Sequence, residues 1–156
     1  METSYETIYI QIASYRDPEL IPTLKSCLEN AKYPNRLRFG IARQYHPDDK
    51  FDDLSEYSSD SRFKIIDIPC QDSKGVCWAR NAVQQHYNEE TYTLQIDSHM
   101  RFAENWDDIL VKMIKQLQEQ GYKKPLLTGY VPSFNPVNDP QERIQTPWRM
   151  VFDRFI

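Results

Sequence analysis

The segment TYTLQIDSHMRF, residues 91–102, governs how we interpret the rest of the chain. Its first part, residues 91–97, is typical of a buried strand that then runs into an acid, a histidine and an arginine. Because successive side chains of a strand alternate between its two faces, Asp97 and His99 should project to the same side. Two such groups at the end of a strand can hold a metal ion or can simply cap a loop, and the remaining sequence has to decide.

Strand-like and helix-like segments alternate along the whole chain. One helix is predicted after an N-cap at Asp17, another begins at Gly75, and a third carries the apolar stripe that begins at Trp106. Cys27 falls on the apolar stripe of the first helix and is expected in the core. The predicted strands cover residues 8–14, 37–42, 62–68, 91–97 and 125–131.

This alternation predicts an α/β protein with a mostly parallel sheet flanked by helices. Ligands of such sheets bind outside the carboxyl ends of the strands. Three polar clusters fall at those ends, at residues 14–17, 75–81 and 97–99. One pocket could therefore gather all three.

Each cluster has a chemical interpretation and a plainer structural one. Asp97 and His99 offer an oxygen and an imidazole nitrogen that suit Mn²⁺, with phosphate and water completing the shell, or they form an ordinary polar strand end. The helix start at Gly75 and the guanidinium of Arg80 suit a phosphate, or Arg80 is a surface arginine. Residues 14–17 could hold a nucleoside, or they form a helix cap with a salt bridge.

Composition limits the classes of partner and compartment. The chain has 156 residues, a net charge of −4 and three cysteines. This length suits one domain, and the negative charge argues against a general nucleic-acid partner. The sequence has neither the apolar run of a membrane span nor a signal peptide, so we expect a cytoplasmic protein. An odd number of cysteines, with Cys70 and Cys77 seven apart, favours neither a disulfide framework nor a zinc site.

Four segments together resemble a known family. They are IASYRDPEL, KYPNRLRFGI, GVCWARNAV and YTLQIDSHMRFAENWDD, followed by a weaker match at LLTGYVPSF. In this order they resemble the cytoplasmic-type polypeptide α-N-acetylglucosaminyltransferases and their bacterial relatives. The fold of that family is the nucleotide-sugar-binding glycosyltransferase A fold, which is Rossmann-like.

The resemblance implies a UDP-sugar donor and a divalent metal, Mn²⁺ first and Mg²⁺ as the alternative. It implies that Asp97 and His99 bind the metal and that Arg80 approaches the diphosphate or the sugar. In the similar mucin-type transferases a later histidine completes the metal site, but no histidine follows His99 in this chain. The implied donor-binding residues are Ser14, Tyr15, Arg16, Asp17, Gly75, Trp78, Arg80 and Ser98.

The implied activity is metal-dependent transfer of a sugar, N-acetylglucosamine by the family name, to a hydroxyl acceptor on a protein, glycan or lipid. Retention at the anomeric carbon is implied too, so no catalytic base or nucleophile is assigned. Residues 1–156 would form the donor-binding part of a glycosyltransferase A domain that is truncated at the C-terminus, with the acceptor part incomplete. The alternative is a non-catalytic nucleotide-sugar-binding module of a larger protein. The oligomeric state stays open.

Overall fold

The computed structural model describes residues 6–144 and 146, and its centre is a four-stranded parallel sheet. The strands lie in the order β3-β2-β1-β4. The predicted α/β fold, with a parallel sheet flanked by helices in a Rossmann-like arrangement, is confirmed. The strands are β1 (Ile8–Tyr15), β2 (Leu37–Tyr45), β3 (Phe63–Pro69) and β4 (Tyr92–Asp97).

Three α-helices connect or follow these strands. They are α1 (Leu20–Glu29), α2 (Val76–Gln84) and α3 (Trp106–Glu119). Short 3-10 helices lie at Pro34–Arg36, Ser55–Tyr57, Cys70–Asp72 and Pro136–Asn138. Across the described residues, no helix combines the length and the apolar character that crossing a membrane requires.

The chain order creates a switch point between β1 and β4. From β1 the chain proceeds to β2 and then to β3 on one side, and it returns to place β4 on the other side of β1. Ala13 of β1 lies beside Asp97 of β4, so both strands end at the same edge. Crevices at such switch points are the usual ligand sites of open parallel sheets.

Both faces of β1 are buried, as expected of a central strand in a helix-covered sheet. Ile10 and Ile12 are fully buried, and Tyr9 is buried with its ring against α2. The Tyr9 hydroxyl donates a hydrogen bond to the carbonyl of Val83 over 2.7 Å. Burial, followed by the charge of Glu90, raises the pKa of Tyr9 to about 12, so this hydroxyl keeps its proton.

Helix α1 begins later than the sequence suggests. The prediction placed the N-cap at Asp17, but the first helical residue is Leu20. The backbone N–H of Glu19 donates to Asp17 Oδ1 over 2.9 Å, so Asp17 forms a separate turn before the helix. The apolar stripe is confirmed, because Leu24 and Cys27 are fully buried.

One further prediction fails in the second of the two compact units, residues 1–108 and 109–156. The fifth strand, at residues 125–131, is wrong: only Tyr130 forms a bridge there, and Leu126 is 84% exposed. An apolar run becomes a strand only when a neighbour pairs with it. Along α3, Trp106 is buried, whereas Ile109 and Met113 are 47% and 45% exposed.

Candidate functional site

Asp17 joins the ends of β1 and β4 at the switch point. It lies in the turn between β1 and α1, and its Oδ2 accepts hydrogen bonds from Ser98 Oγ over 2.6 Å and from His99 Nδ1 over 2.8 Å. Its other oxygen holds the Glu19 N–H, as described above. Two of the three predicted clusters are therefore in direct contact, although 82 residues separate Asp17 from His99.

The charge of Asp17 follows from these contacts. Burial on its own would raise the pKa of the Asp17 carboxyl, because it disfavours the charged form. The hydrogen bonds from Ser98, His99 and the Glu19 backbone together outweigh burial and lower that pKa below its ordinary value. Asp17 is therefore an ionised acceptor at neutral pH.

Asp97, the last residue of β4, contacts the third cluster. Its Oδ1 accepts a hydrogen bond from Arg80 Nη2 of α2 over 3.0 Å, while its side chain stays 58% exposed. Arg80 Nε is buried and has no hydrogen-bond partner among the residues that the structure describes. Arg80 thus lies at the predicted edge but is engaged with the carboxylate, with part of its donor capacity unused.

The alternation predicted for residues 97–99 is visible in their exposure. Asp97 and His99 are exposed and Ser98 between them is buried. The two exposed groups have different partners, because Asp97 contacts α2 and His99 contacts the turn before α1.

Helix α1 fixes the backbone of residues 98–102, a role the sequence analysis missed. The buried Thr23 hydroxyl donates to the Ser98 carbonyl over 2.8 Å and accepts from the Met100 N–H over 2.8 Å. Ser26 Oγ accepts from the Phe102 N–H over 3.0 Å. Hydroxyl residues at i and i+3 within an apolar helix were the available signal, because they mark a second, polar stripe.

Gln44, at the end of β2, connects β1 to the start of α2 and was also missed. Its Nε2 donates to the Ser14 carbonyl over 3.1 Å, and its Oε1 accepts from Ser73 Oγ over 2.5 Å. Ser73 Oγ in turn accepts from the Gly75 N–H over 3.3 Å. The Ser14 hydroxyl is buried at this edge and makes no hydrogen bond within the described residues.

Gly75 and Trp78 shape the start of α2. Gly75 has a φ of +92°, a conformation that side chains other than hydrogen disfavour. Trp78 packs against the core cluster formed by Tyr9, Ala42, Ile68, Ala79 and Val83. The Lys74 ammonium lies 5.7 Å from the Trp78 ring centre. The side chain of Trp78 therefore supports α2 on the sheet.

Tyr15 is the last residue of β1, and Arg16 follows it. In the described structure, neither side chain makes a hydrogen bond to the clusters at residues 75–81 and 97–99. Arg16 has a φ of +47° and pairs with Asp49 of the long loop through two bonds, of 2.7 and 3.1 Å. Tyr15 is exposed. Through Asp49, Arg16 ties the segment that follows β2 to the edge of the sheet that carries the site.

The donor set fits a divalent metal that the protein would hold through two side chains. Asp97 offers a carboxylate, and His99 offers its Nε2, because Asp17 occupies Nδ1. Within residues 6–144 and 146, no group of three or more histidine, cysteine or carboxylate side chains is arranged as a metal site. Phosphate oxygens and water would have to supply the remaining ligands, as is usual for hard divalent cations at phosphate sites.

A parallel sheet with polar groups gathered at its switch point is typical of α/β proteins that bind small ligands at this edge. The glycosyltransferase family described as Glycosyltransferase (GlcNAc) matches residues 7–61 and 48–155 of this chain. These matches span most of the sequence, and the chain belongs to this glycosyltransferase family. A search of curated proteins found no match.

Proposed function

We propose that this chain binds a UDP-sugar through a divalent cation at Asp97 and His99 and transfers the sugar to a hydroxyl acceptor. The family description supports N-acetylglucosamine as the sugar. The observation that supports the proposal is that Asp97 and His99 follow β4 at the switch point, where Asp97 contacts Arg80 of α2 and His99 contacts Asp17 in the turn after β1. The acceptor hydroxyl belongs to a protein, a glycan or a lipid, and the reaction retains the anomeric configuration.

In this proposal each cluster has one role. The cation, Mn²⁺ before Mg²⁺, would neutralise charge on the diphosphate. Arg80 and the N-terminus of α2 add positive potential on the phosphate side, and Gly75 lets the backbone come close. Ser14, Tyr15 and Arg16 line the nucleoside side. A retaining transfer makes no demand for a strong base, so none is assigned.

Asp97→Ala tests the metal assignment. We expect this substitution to abolish Mn²⁺-dependent binding of UDP, because it removes the only carboxylate proposed to bind the cation. The thermal unfolding midpoint should stay close to that of the unchanged protein, since the Asp97 side chain is exposed. Binding is measured by calorimetry with UDP at saturating Mn²⁺, and folding by circular dichroism.

Asp67→Ala is the matched control. Asp67 is also a half-exposed carboxylate near the end of a strand, and it pairs with Arg43 over 2.6 Å. Asp67→Ala removes the same charge and breaks an exposed ion pair, and such pairs contribute roughly 1 kcal/mol or less. The affinity for UDP should therefore stay within about twofold of that of the unchanged protein. Unchanged UDP affinity in a folded Asp97→Ala protein would contradict the proposal.

A further inference from the structure

We propose that Asp17 is a positioning residue that holds the neutral His99 imidazole in one tautomer, with the proton on Nδ1 and the lone pair on Nε2. The role of that lone pair as a metal ligand rests on the proposed function, whereas the tautomer itself does not. The sequence had suggested a nucleoside contact for Asp17. The structure instead directs one of its oxygens to the residues that follow β4.

The hydrogen bond between Asp17 and His99 determines which nitrogen of a neutral His99 carries the proton. An ionised carboxylate can only accept hydrogen bonds, so a neutral His99 must carry its proton on the nitrogen that faces Asp17. That nitrogen is Nδ1, at 2.8 Å from Oδ2. The proton is therefore absent from Nε2, and Nε2 becomes the basic atom of the ring.

Neighbouring residues hold both Asp17 and the backbone around His99 in place. Asp17 is held by its hydrogen bond from the Glu19 N–H and by its hydrogen bond from Ser98. The backbone on both sides of His99 is fixed to Thr23. A metal-binding histidine nearly always gives its second N–H to such a partner, which fixes the ring and raises the basicity of the ligating nitrogen. Asp17 meets this description.

Asp17→Asn is the decisive variant because it should reverse the tautomer without removing the turn. The amide oxygen can still accept the Glu19 N–H, and the amide nitrogen then replaces Oδ2. An amide nitrogen only donates, so His99 Nδ1 must become the acceptor and the proton must move to Nε2. The Ser98 hydroxyl can turn to accept as well, so the local fold should persist.

Imidazole ¹⁵N shifts report the tautomer directly on the metal-free protein. Spectra are recorded at increasing pH until the imidazole ¹⁵N shifts stop changing, so that the neutral ring is the species observed. The chain has only three histidines, so single substitutions of His46 and His86 assign the signals. His46 supplies an internal reference of the opposite kind, because its Nδ1 accepts from the Asp48 N–H over 3.3 Å.

We expect the Nδ1–H pattern for His99 in the unchanged protein and the Nε2–H pattern in Asp17→Asn. Ser98→Ala is the matched control, since it removes the other hydrogen bond to the same oxygen and should leave the Nδ1–H pattern. Mn²⁺ affinity, measured by electron paramagnetic resonance, should fall about 10- to 100-fold in Asp17→Asn, the usual cost of losing such a partner. Ser98→Ala should lose much less.

An unchanged His99 tautomer in a folded Asp17→Asn protein would overturn this inference while leaving Asp97-dependent Mn²⁺ binding, and thus the proposed function, intact. A reversed tautomer with undiminished Mn²⁺ affinity would overturn the link between Asp17 and the metal. If the unchanged protein fails to bind Mn²⁺ with or without UDP, the proposed function fails, and the metal role of Asp17 fails with it.

Discussion

Arg80 occupies the carboxylate that the proposed cation needs. Its guanidinium makes a hydrogen bond to Asp97, and within residues 6–144 its buried Nε has no hydrogen-bond partner. Two unit charges 4 Å apart interact by about 1 kcal/mol in water and by about 4 kcal/mol near a protein surface. Because this pair is partly exposed, the lower value is the better guide. Arg80 and a cation at Asp97 should therefore oppose each other until a diphosphate engages the arginine.

Arg80→Gln should act in opposite directions on metal and nucleotide. Without nucleotide, Mn²⁺ affinity should rise about fivefold, which corresponds to the roughly 1 kcal/mol of repulsion that is removed. With Mn²⁺ present, the affinity for UDP should fall more than that for uridine, because only UDP carries phosphate. Titration followed by electron paramagnetic resonance measures the affinity for Mn²⁺. Calorimetry measures the affinities for UDP and for uridine.

Lys74→Gln is the control for this experiment. It removes a cation from the segment just before α2, next to Trp78 and not on Asp97. Metal affinity should change by less than about twofold, as for an exposed charge with no direct contact. Equal losses of UDP and uridine in Arg80→Gln would show that Arg80 does not serve the phosphate side. Weaker Mn²⁺ binding without nucleotide would show that Arg80 does not oppose the cation.

At the scale of elements, α2 approaches the sheet closely over Gly40. A Cβ at Gly40 would lie 2.0 Å from Tyr9 Oη and 2.8 Å from Val83 Cγ1. The Tyr9 ring cannot move without losing its hydrogen bond to the Val83 carbonyl. This packing holds the Val83 end of α2 on the sheet, in the helix that has Gly75 as its N-cap and Arg80 at its middle.

Gly40→Ala should therefore destabilise the protein by about 1–3 kcal/mol, the usual cost of overpacking a core. Urea denaturation measures the free energy of unfolding. Gly129→Ala is the control, because nothing lies within 4 Å of the Cβ it would add. If the two variants are equally stable, α2 does not depend on close contact at Gly40.

Sequence patterns predicted the strands of the sheet and the helices between them, which have clear local signals in composition and periodicity. The four strands of the sheet were placed within about three residues of their observed bounds, a normal error for boundaries. The segment at residues 125–131 has strand-like composition, but a strand also needs a partner, which composition does not reveal. The start of α1 shifted because the carboxylate of Asp17 closes a turn instead of capping the helix.

The sequence predicted the three clusters of the candidate site. It did not predict which residues of the clusters contact one another. Asp97, His99 and Arg80 stood out because of their chemistry at strand and helix ends. The bond between Asp17 and His99 depends on the pairing of β1 with β4, which lie far apart in sequence. Gln44 and Thr23 are ordinary in sequence, and only the folded arrangement shows that they hold neighbouring backbone segments.

At the scale of the whole molecule, the fold, the family and the site agree. The parallel sheet has its switch point between β1 and β4, and the polar clusters meet there. The family match spans the segments that carry all three clusters. The net charge of −4 means that the overall field does not attract a diphosphate, so affinity for UDP must come from local cations.

Titration calorimetry of the chain with UDP, first with Mn²⁺ and then after chelation, tests the central claim most directly. We expect measurable binding of UDP with Mn²⁺. Without Mn²⁺ the affinity for UDP should fall at least tenfold, which corresponds to about 1.4 kcal/mol or more. Equal UDP affinity under both conditions, or no binding to the folded protein at saturating Mn²⁺, would contradict a metal-dependent donor site at Asp97 and His99.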